Sequence, residues 1–383
     1  MDQKATQRVQ DLVDAQVAEG RQIGVQVAAY VHGERFLEVV AGTMGPGDER
    51  PMQHDSVSCV FSATKGIGAL AIHQLADRGL LDYDEPVATY WPAFAQNGKE
   101  RATVLQAVSH QVGLHAMPAP FRPEHVTDWA AGVARTEQGA PAWAPGTDCG
   151  YHAVTFGWLV GGIVESVTGR HAQEFIRAEI AEPLGVVDEL YVGIPDDPAV
   201  LARCTTLDIV AAGEGMPIPD DAPFYEAMPK GMWPYFNDVA FRRACLPSGN
   251  GHFSARALAR VYAALANGGQ LDGAHLVTPE RIEHMRTKTW DGPDRVLIVP
   301  VKRGIGFWLG GLGPDLEGNL VAGPMGPKET TFGHAGAGGS MGFADPETGL
   351  AVGVAVNKMA YPLPGQGTTQ EICDLVRELA VRA

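Results

Sequence analysis

The order of apolar and polar positions predicts regular structure at both ends of the chain. Residues 5–19 carry apolar side chains at helical spacing, namely Val9, Leu12, Val13 and Val17. This periodicity predicts an amphipathic helix. Two apolar runs follow at 24–30 and 36–40, separated by the turn residues His32, Gly33 and Glu34. Two such runs around a short turn predict a β-hairpin.

A strongly apolar helix is predicted to start at Ser62 and to end near Gly79. Beyond it, the character of the sequence changes from about residue 82 to 240. Short helical patterns alternate there with loops rich in proline and glycine, at 103–110, 124–135, 153–168 and 171–181. Residues 213–234 carry many prolines, aromatics and methionines, and we interpret them as irregular, either a pocket-lining loop or a connector.

Regular patterns return from residue 254. Helices are predicted at 254–269, 279–286 and 371–382. Strand-like runs lie at 304–310, 330–336, 339–346 and 350–357. The simplest architecture is one sheet that combines both ends of the chain. We therefore predict a discontinuous sheet domain, 1–81 with 241–383, and a mainly helical domain inserted at 82–240. Because ligand sites favour domain boundaries, the boundary is the expected place for an active site.

Composition narrows the function classes. The chain has 383 residues, of which 45% are hydrophobic and 19% charged, as expected for a globular protein with a large core. Its net charge of −16 argues against nucleic acid or an anionic membrane surface as a partner. Five widely spaced cysteines, no apolar leader and no long apolar run predict a cytoplasmic protein with reduced thiols and no membrane span.

The most informative motif is Ser62-Ala-Thr-Lys65, at the start of the predicted helix. Residues three apart lie on one helix face, so Lys65 is expected to stand beside Ser62. A serine hydroxyl needs an adjacent base to act as a nucleophile. A lysine in a dry pocket, or near another cation, can lose its proton near neutral pH and serve as that base. The helix N-terminus would stabilise negative charge developing at Ser62.

Two downstream segments offer partners for Ser62. Tyr151 lies at a loop–helix junction and is a candidate proton carrier, since a tyrosine pKa, near 10 in water, can fall beside a lysine. An ordinary half-buried tyrosine is the alternative. The glycine-rich run from Phe332 to Ser340 would let backbone approach a ligand closely, and its N–H groups could complete an oxyanion hole with that of Ser62. A tight strand turn is the alternative there.

Other catalytic patterns fit less well. Gly338-Gly-Ser340-Met-Gly342 matches the nucleophile elbow of α/β-hydrolases, but a strand pattern follows it and no histidine follows Ser340. His110 and His115 lack the helical spacing of metal ligands, so we expect no metal. The glycine clusters precede a strand rather than a helix, which argues against a dinucleotide cofactor. A binding module that has lost activity remains the non-enzymatic alternative.

Taken together, these segments resemble the serine-reactive hydrolases that include class C β-lactamases, penicillin-binding DD-peptidases and family VIII esterases. The order matches: Ser62-x-x-Lys65, a tyrosine box at Tyr151 and a His-x-Gly box at His334 and Gly336. Connecting stretches such as WAPGTDCGYHAVTFGWLVGGIVESVTGR and FGHAGAGGSMGFADPETG are also similar, so the resemblance covers nearly the whole chain. It implies an α+β fold, an antiparallel sheet flanked by helices with an inserted helical domain.

By this resemblance Ser62 is the acylated nucleophile, and Lys65 and Tyr151 share the general base and acid work. The backbone N–H groups of Ser62 and Ala337 hold the oxyanion, while the box at His334 and Gly336 forms one wall of the pocket.

Two departures from the family pattern bear on substrate. The second box, usually Tyr-x-Asn or Ser-x-Asn, here reads Tyr151-His152-Ala153, and the third begins with histidine instead of lysine. Both changes weaken recognition of β-lactams and D-Ala-D-Ala ends and resemble the esterase branch. We therefore expect a cofactor-independent carboxylesterase for small-acyl or aryl esters. Acyl transfer and β-lactamase or DD-peptidase activity are the alternatives.

Overall fold

The computed structural model describes residues 1–209, 219–315, 317–360 and 367–381. The α-helices in these ranges are α1 (Gln3–Ala18), α2 (Thr64–Asp77), α3 (Val87–Tyr90), α4 (Val104–Val108), α5 (Glu124–Thr127), α6 (Trp129–Gln138), α7 (Phe156–Thr168), α8 (Ala172–Ile176), α9 (Pro198–Arg203), α10 (Phe224–Ala227), α11 (Val239–Arg243), α12 (Ala255–Ala266), α13 (Pro279–Met285) and α14 (Thr368–Ala380). Short 3₁₀ turns occupy Phe61–Ala63, Pro92–Phe94 and Lys230–Asn237, and a π turn occupies Arg177–Ala181.

The strands are β1 (Gly24–Val31), β2 (Glu34–Gly45), β3 (Asp48–Pro51), β4 (Ser58–Cys59), β5 (Leu190–Val192), β6 (Gly251–Phe253), β7 (Gln270–Leu271), β8 (Ala274–His275), β9 (Trp290–Pro293), β10 (Pro300–Arg303), β11 (Trp308–Leu309), β12 (Leu312–Pro314), β13 (Leu320–Ala322), β14 (Phe332–Ala335), β15 (Met341–Asp345) and β16 (Leu350–Val356). Nine of them form one antiparallel sheet in the order β3-β2-β1-β16-β15-β14-β11-β10-β9. The predicted α+β fold with an antiparallel sheet flanked by helices is therefore confirmed.

Alternating side chains on β1 and β16 cover the sheet on both faces. On one face, Val25 and Val27 of β1 pack with residues of α1 and α14 in one apolar cluster. On the other face, small residues of β16 meet α12, and a Cβ on Gly353 would lie 2.4 Å from the Ala255 carbonyl oxygen. The second face continues into a large core that includes α2 and α7. Helix α2, which follows the catalytic candidate Ser62, is buried on every side because it lies inside this core.

The sheet joins strands from residues 24–51 with strands from residues 290–356. This pairing is the one expected from the strand-like patterns at the two ends of the chain. The proposed division into a domain of 1–81 with 241–383 and a domain of 82–240 stays a prediction.

Several predicted elements differ in detail. Ser62 lies in a 3₁₀ turn before α2 instead of in the α-helix itself. The pattern at 124–135 is two helices, α5 and α6, because Asp128 caps the second one by accepting from the Ala131 N–H. The strand-like run 304–310 forms only the two-residue strand β11. The short strands β9 and β10 were missed because polar residues break their alternation.

The segment 213–234 was expected to be irregular, and this is wrong for its second half. Helix α10 and the 3₁₀ turn Lys230–Asn237 both lie there. Residues 213–218, including Met216, lie outside the described residues. In the described part of the chain, every helix falls short of the length and hydropathy needed to cross a bilayer.

Candidate active site

The candidate nucleophile Ser62 lies in the turn between β4 and α2. The preceding residue, Phe61, has a φ of 46°, a left-handed conformation that bulky residues rarely adopt. The Phe61 ring is buried and packs 4.6 Å from Phe236 and 5.8 Å from Trp233, measured between ring centroids. These aromatic contacts hold the strained backbone that presents Ser62, which is how such strain is usually kept at a functional site.

Lys65 stands beside Ser62, one turn along. Its side chain is fully buried, and Nζ lies 3.1 Å from Ser62 Oγ. Nζ also lies 2.7 Å from the carbonyl oxygens of both Ala153 and Ser248. Burial, and secondarily the nearby charge of Arg303, lower the pKa of Lys65 well below its ordinary value.

These contacts suit a neutral amine. A neutral lysine has two N–H bonds and one lone pair, and the carbonyls of Ala153 and Ser248 accept both N–H bonds. In this neutral form the lone pair faces the hydroxyl of Ser62, whereas the protonated form donates its third N–H bond to Ser62 Oγ. Lys65 is thereby arranged to take the proton of Ser62, which is the requirement for a general base.

Tyr151 lies in the loop before α7, and the same cluster of groups surrounds it. Lys65 Nζ is 4.7 Å from the centroid of its ring. Burial raises the pKa of Tyr151, while contact with the Ser62 hydroxyl and the charge of Arg303 act in the opposite direction. The pKa of Tyr151 therefore does not fall beside Lys65, because desolvation is the larger effect. Tyr151 is a neutral phenol suited to donating a proton.

The glycine-rich third box, at His334 and Gly336, packs against the turn that carries Ser62. A Cβ on Gly336 would lie 2.0 Å from the carbonyl oxygen of Val60 and 3.2 Å from the amide nitrogen of Ser62, so only glycine fits there. Among the described residues, the backbone N–H groups of Ser62 and Ala337 have no backbone acceptor. Two such N–H groups are what an oxyanion hole requires. Their role remains a prediction.

His334 is buried, and both of its ring nitrogens are engaged. Trp308 Nε1–H donates to His334 Nε2 at 3.1 Å, so the ring proton is on Nδ1, which donates to the Ala335 carbonyl at 2.8 Å. Burial, with the charge of Lys65 next, lowers the pKa of His334 well below its ordinary value. The third box therefore carries no positive charge near neutral pH.

His110, His115 and Ser340, the alternative candidates in the sequence, each have a structural hydrogen-bond partner. His110 Nδ1 accepts from the His152 amide at 3.1 Å, and His115 Nε2 lies 3.0 Å from a Glu226 carboxylate oxygen. Ser340 is buried, its Oγ accepts from the Val356 amide at 3.1 Å, and strand β15 follows it. A nucleophile elbow needs a helix at that place, so Ser340 does not form one.

Sequence reasoning missed an ion pair behind Tyr151. Arg303 Nη2 donates to Asp294 Oδ2 at 2.6 Å, and both side chains are nearly inaccessible to solvent. Neither residue belongs to a motif, because short polar strands and their connection carry them. The carbonyl of Ser248, which holds Lys65, was also missed, since no sequence signal marks a backbone acceptor.

An antiparallel sheet flanked by helices, with a serine and a buried lysine one turn apart beside its strand β14, defines the class of serine-reactive hydrolases. The sequence matches the Beta-lactamase family over residues 9–374, and the chain belongs to that family.

Similar proteins include esterases and penicillin-binding proteins. The sequence is 37% identical to Esterase/beta-lactamase LipL of Mycobacterium tuberculosis (strain ATCC 25618 / H37Rv) over 351 residues, 89% of this chain and 78% of LipL. The fold is similar to the crystal structure of a family VIII carboxylesterase, with a TM-score of 0.87, 31% identity and coverage of 98% and 97% of the two chains. A penicillin-binding protein homolog from Caulobacter crescentus gives a TM-score of 0.85, 34% identity and the same coverage.

Proposed function

We propose that the protein is a carboxylesterase that forms an acyl-enzyme on Ser62 with small-acyl or aryl esters. The observation that carries this proposal is the contact between Lys65 Nζ and Ser62 Oγ at 3.1 Å in a site that lowers the pKa of the lysine. The esterase names among the similar proteins support the choice of substrate.

The reaction follows from the placement of the groups. Ser62 Oγ attacks the ester carbonyl carbon while its proton passes to Lys65. The carbonyl oxygen becomes an oxyanion beside the N–H groups of Ser62 and Ala337. As the carbon–oxygen bond to the alcohol breaks, the departing oxygen takes a proton from Tyr151, which recovers one from Lys65.

Water then attacks the acyl-enzyme, with the same groups moving the proton in reverse, and releases the carboxylic acid. An alcohol or an amine in place of water would make the same acyl-enzyme an acyltransferase. Adding methanol to the assay and measuring the ratio of methyl ester to free acid separates these two outcomes.

The charges around Ser62 favour an uncharged substrate. His334 is neutral, Arg303 is paired with Asp294, and burial holds the pKa of Lys65 well below its ordinary value, which favours the uncharged amine. Ala153 stands where an asparagine contacts amide substrates in β-lactamases and DD-peptidases. Among the described residues of the site, no group is therefore matched to the carboxylate of a β-lactam or of a D-Ala-D-Ala end.

The apolar residues near Phe61 fit the same substrate class. Phe61, Trp233 and Phe236 belong to one apolar cluster with Tyr151 and Ala153. Met228 and Met232 belong to it as well, and methionine adapts to acyl groups of different shape. We propose that this cluster contacts the acyl or aryl part of the ester.

Two esters of matched size test the charge argument. We expect p-nitrophenyl butyrate to be hydrolysed with at least about tenfold higher kcat/KM than mono-p-nitrophenyl succinate, because burying an unpaired carboxylate is costly. The esters share a leaving group and differ only in a terminal methyl or carboxylate. Faster hydrolysis of the succinate ester would contradict the charge argument, and rapid hydrolysis of a penicillin under the same conditions would contradict the esterase proposal.

A further inference from the structure

A buried ion pair connects directly to Tyr151. Asp294, in the connection between β9 and β10, accepts at Oδ2 from Arg303 Nη2 at 2.6 Å. Its Oδ1 accepts from the backbone N–H of Tyr151 at 3.1 Å, and from those of Val296 and Leu297 at 2.9 Å. One carboxylate therefore fixes both the backbone of Tyr151 and the position of the guanidinium.

The guanidinium of Arg303 lies against two aromatic rings of the site. Its Cζ is 5.2 Å from the centroid of Tyr151 and 5.1 Å from that of Trp308. These distances are typical of cation–π contacts. Trp308 in turn donates to His334 of the third box. The ion pair, the rings of Tyr151 and Trp308, and the third box are therefore connected.

The pairing of strands explains this arrangement. Arg303 is opposite Trp308 in the β10–β11 pair, and Trp308 is opposite Gly333 in the β11–β14 pair. The sheet thus places an arginine two strands away from the third box, whose first residue, His334, has no charge near neutral pH. A fully buried arginine is costly to retain, and the Nε of Arg303 has no hydrogen-bond partner among the described residues.

We propose that Arg303, held by Asp294, is a positioning residue that fixes the Tyr151 ring. It also supplies the site with the positive charge that the third box, at His334 and Gly336, lacks. This inference rests on the proposed function. A positive charge favours the deprotonated forms of nearby acids and of the lysine base. In agreement, the charge of Arg303 acts to lower the pKa of both Lys65 and Tyr151. Asp294 opposes this effect at Tyr151, so the pair has a net influence smaller than that of a free arginine.

The other titratable groups around Lys65 and Tyr151 are uncharged near neutral pH. Burial lowers the pKa values of His110 and His334 well below their ordinary range and that of His152 to about 3. Burial also raises the pKa of the Cys149 thiol to about 11. Arg303 and Asp294 are therefore the charges to vary.

The test replaces Arg303 by glutamine, which removes the charge, and by lysine, which keeps it. For Arg303→Gln we expect kcat for a p-nitrophenyl ester to fall about tenfold or more with little change in KM. We also expect the acid limb of the pH profile to move up by about one pH unit, since proton loss from Lys65 becomes harder without the positive charge. Arg303→Lys is expected to restore the position of that limb.

Arg295→Gln is the matched control. Arg295 also lies on the β9–β10 connection, pairs with Asp148 at 3.1 Å and faces an aromatic ring, Trp143, but its side chain is 56% exposed. This variant is expected to keep the wild-type kcat and pH profile. A folded Arg303→Gln variant with wild-type kcat and profile, whatever its Tm, would overturn the positioning role.

If Arg303→Gln does not fold, the Asp294→Asn variant tests the role of Arg303 instead. It removes the opposing negative charge, so the acid limb is expected to move to lower pH, and an unchanged limb would overturn the inference. Turnover by a Ser62→Ala variant separates the two proposals. An active Ser62→Ala variant means that the proposed function itself fails, whereas an inactive one beside a wild-type Arg303→Gln variant means that only the role of Arg303 fails.

Discussion

Replacing Ser62 with alanine is expected to lower kcat for p-nitrophenyl butyrate by about 10⁴- to 10⁶-fold, the range found when a nucleophile is removed from a serine hydrolase. The reason is that no acyl-enzyme can form without the hydroxyl that lies 3.1 Å from Lys65 Nζ. The fold should survive, because the hydroxyl of Ser62 contacts Lys65 and Tyr151 within the site, and Lys65 keeps its contacts with the carbonyls of Ala153 and Ser248. Steady-state kinetics together with a thermal melt measure both expectations.

Ser340→Ala is the matched control for Ser62→Ala. It removes the serine of the Gly-x-Ser-x-Gly sequence, whose hydroxyl accepts from the Val356 amide inside the sheet. We expect a stability loss of about 1 kcal/mol and an unchanged kcat. Full activity of Ser62→Ala with loss of activity in Ser340→Ala would reverse the assignment of the nucleophile.

Replacing Lys65 with methionine is expected to lower kcat by about 10²- to 10⁴-fold, the usual contribution of a general base. In the wild type, kcat/KM should fall as the pH drops through the lysine pKa, because a protonated Lys65 cannot accept the proton of Ser62. Since burial lowers that pKa, the fall is expected far below pH 10.5, the ordinary value for lysine. A pH profile of kcat/KM for the wild type and for Lys65→Met measures both effects.

Lys99→Met controls for the removal of a buried lysine. Lys99 is equally inaccessible, and its Nζ donates to the carbonyls of Gln96, Glu137 and Gly139, with no nucleophile among its partners. This variant is expected to lose stability and to keep its kcat. An acid limb near pH 10.5 would contradict the base role of Lys65. So would a kcat of Lys65→Met within about fivefold of that of Lys99→Met, a difference of about 1 kcal/mol.

The sequence predicts the fold best where periodic patterns are long. Helices α1 and α14, which cover one face of the sheet, and strands β1 and β16 within the sheet follow from the apolar spacing alone. The short strands β9 and β10 show the limit. Pro, Asp, Lys and Arg interrupt their alternation, and only pairing within the sheet makes them strands.

The candidate site divides in the same way. Ser62 and Lys65 are three residues apart, so local helical geometry alone predicts their contact. Tyr151, His334 and Gly336 are distant in sequence, and the family resemblance was needed to place them beside Ser62. A lysine neighbour can lower the pKa of a tyrosine, but the pKa of Tyr151 is raised, because the extent of burial is a property of the folded chain. Arg303 and Asp294 had no sequence signal, since their significance lies entirely in contacts made across strands.

The most direct test of the acyl-enzyme is the intact mass of the protein within seconds of mixing with p-nitrophenyl butyrate, and separately with a penicillin. We expect a transient butyryl adduct that peptide mapping locates on Ser62 in the wild type, no adduct in Ser62→Ala, and a slow or absent penicillin adduct. An adduct on Ser340, or none while p-nitrophenol is released, would contradict the central claim. A fast penicillin adduct on Ser62 would keep the nucleophile and assign the protein to the β-lactamase or DD-peptidase branch.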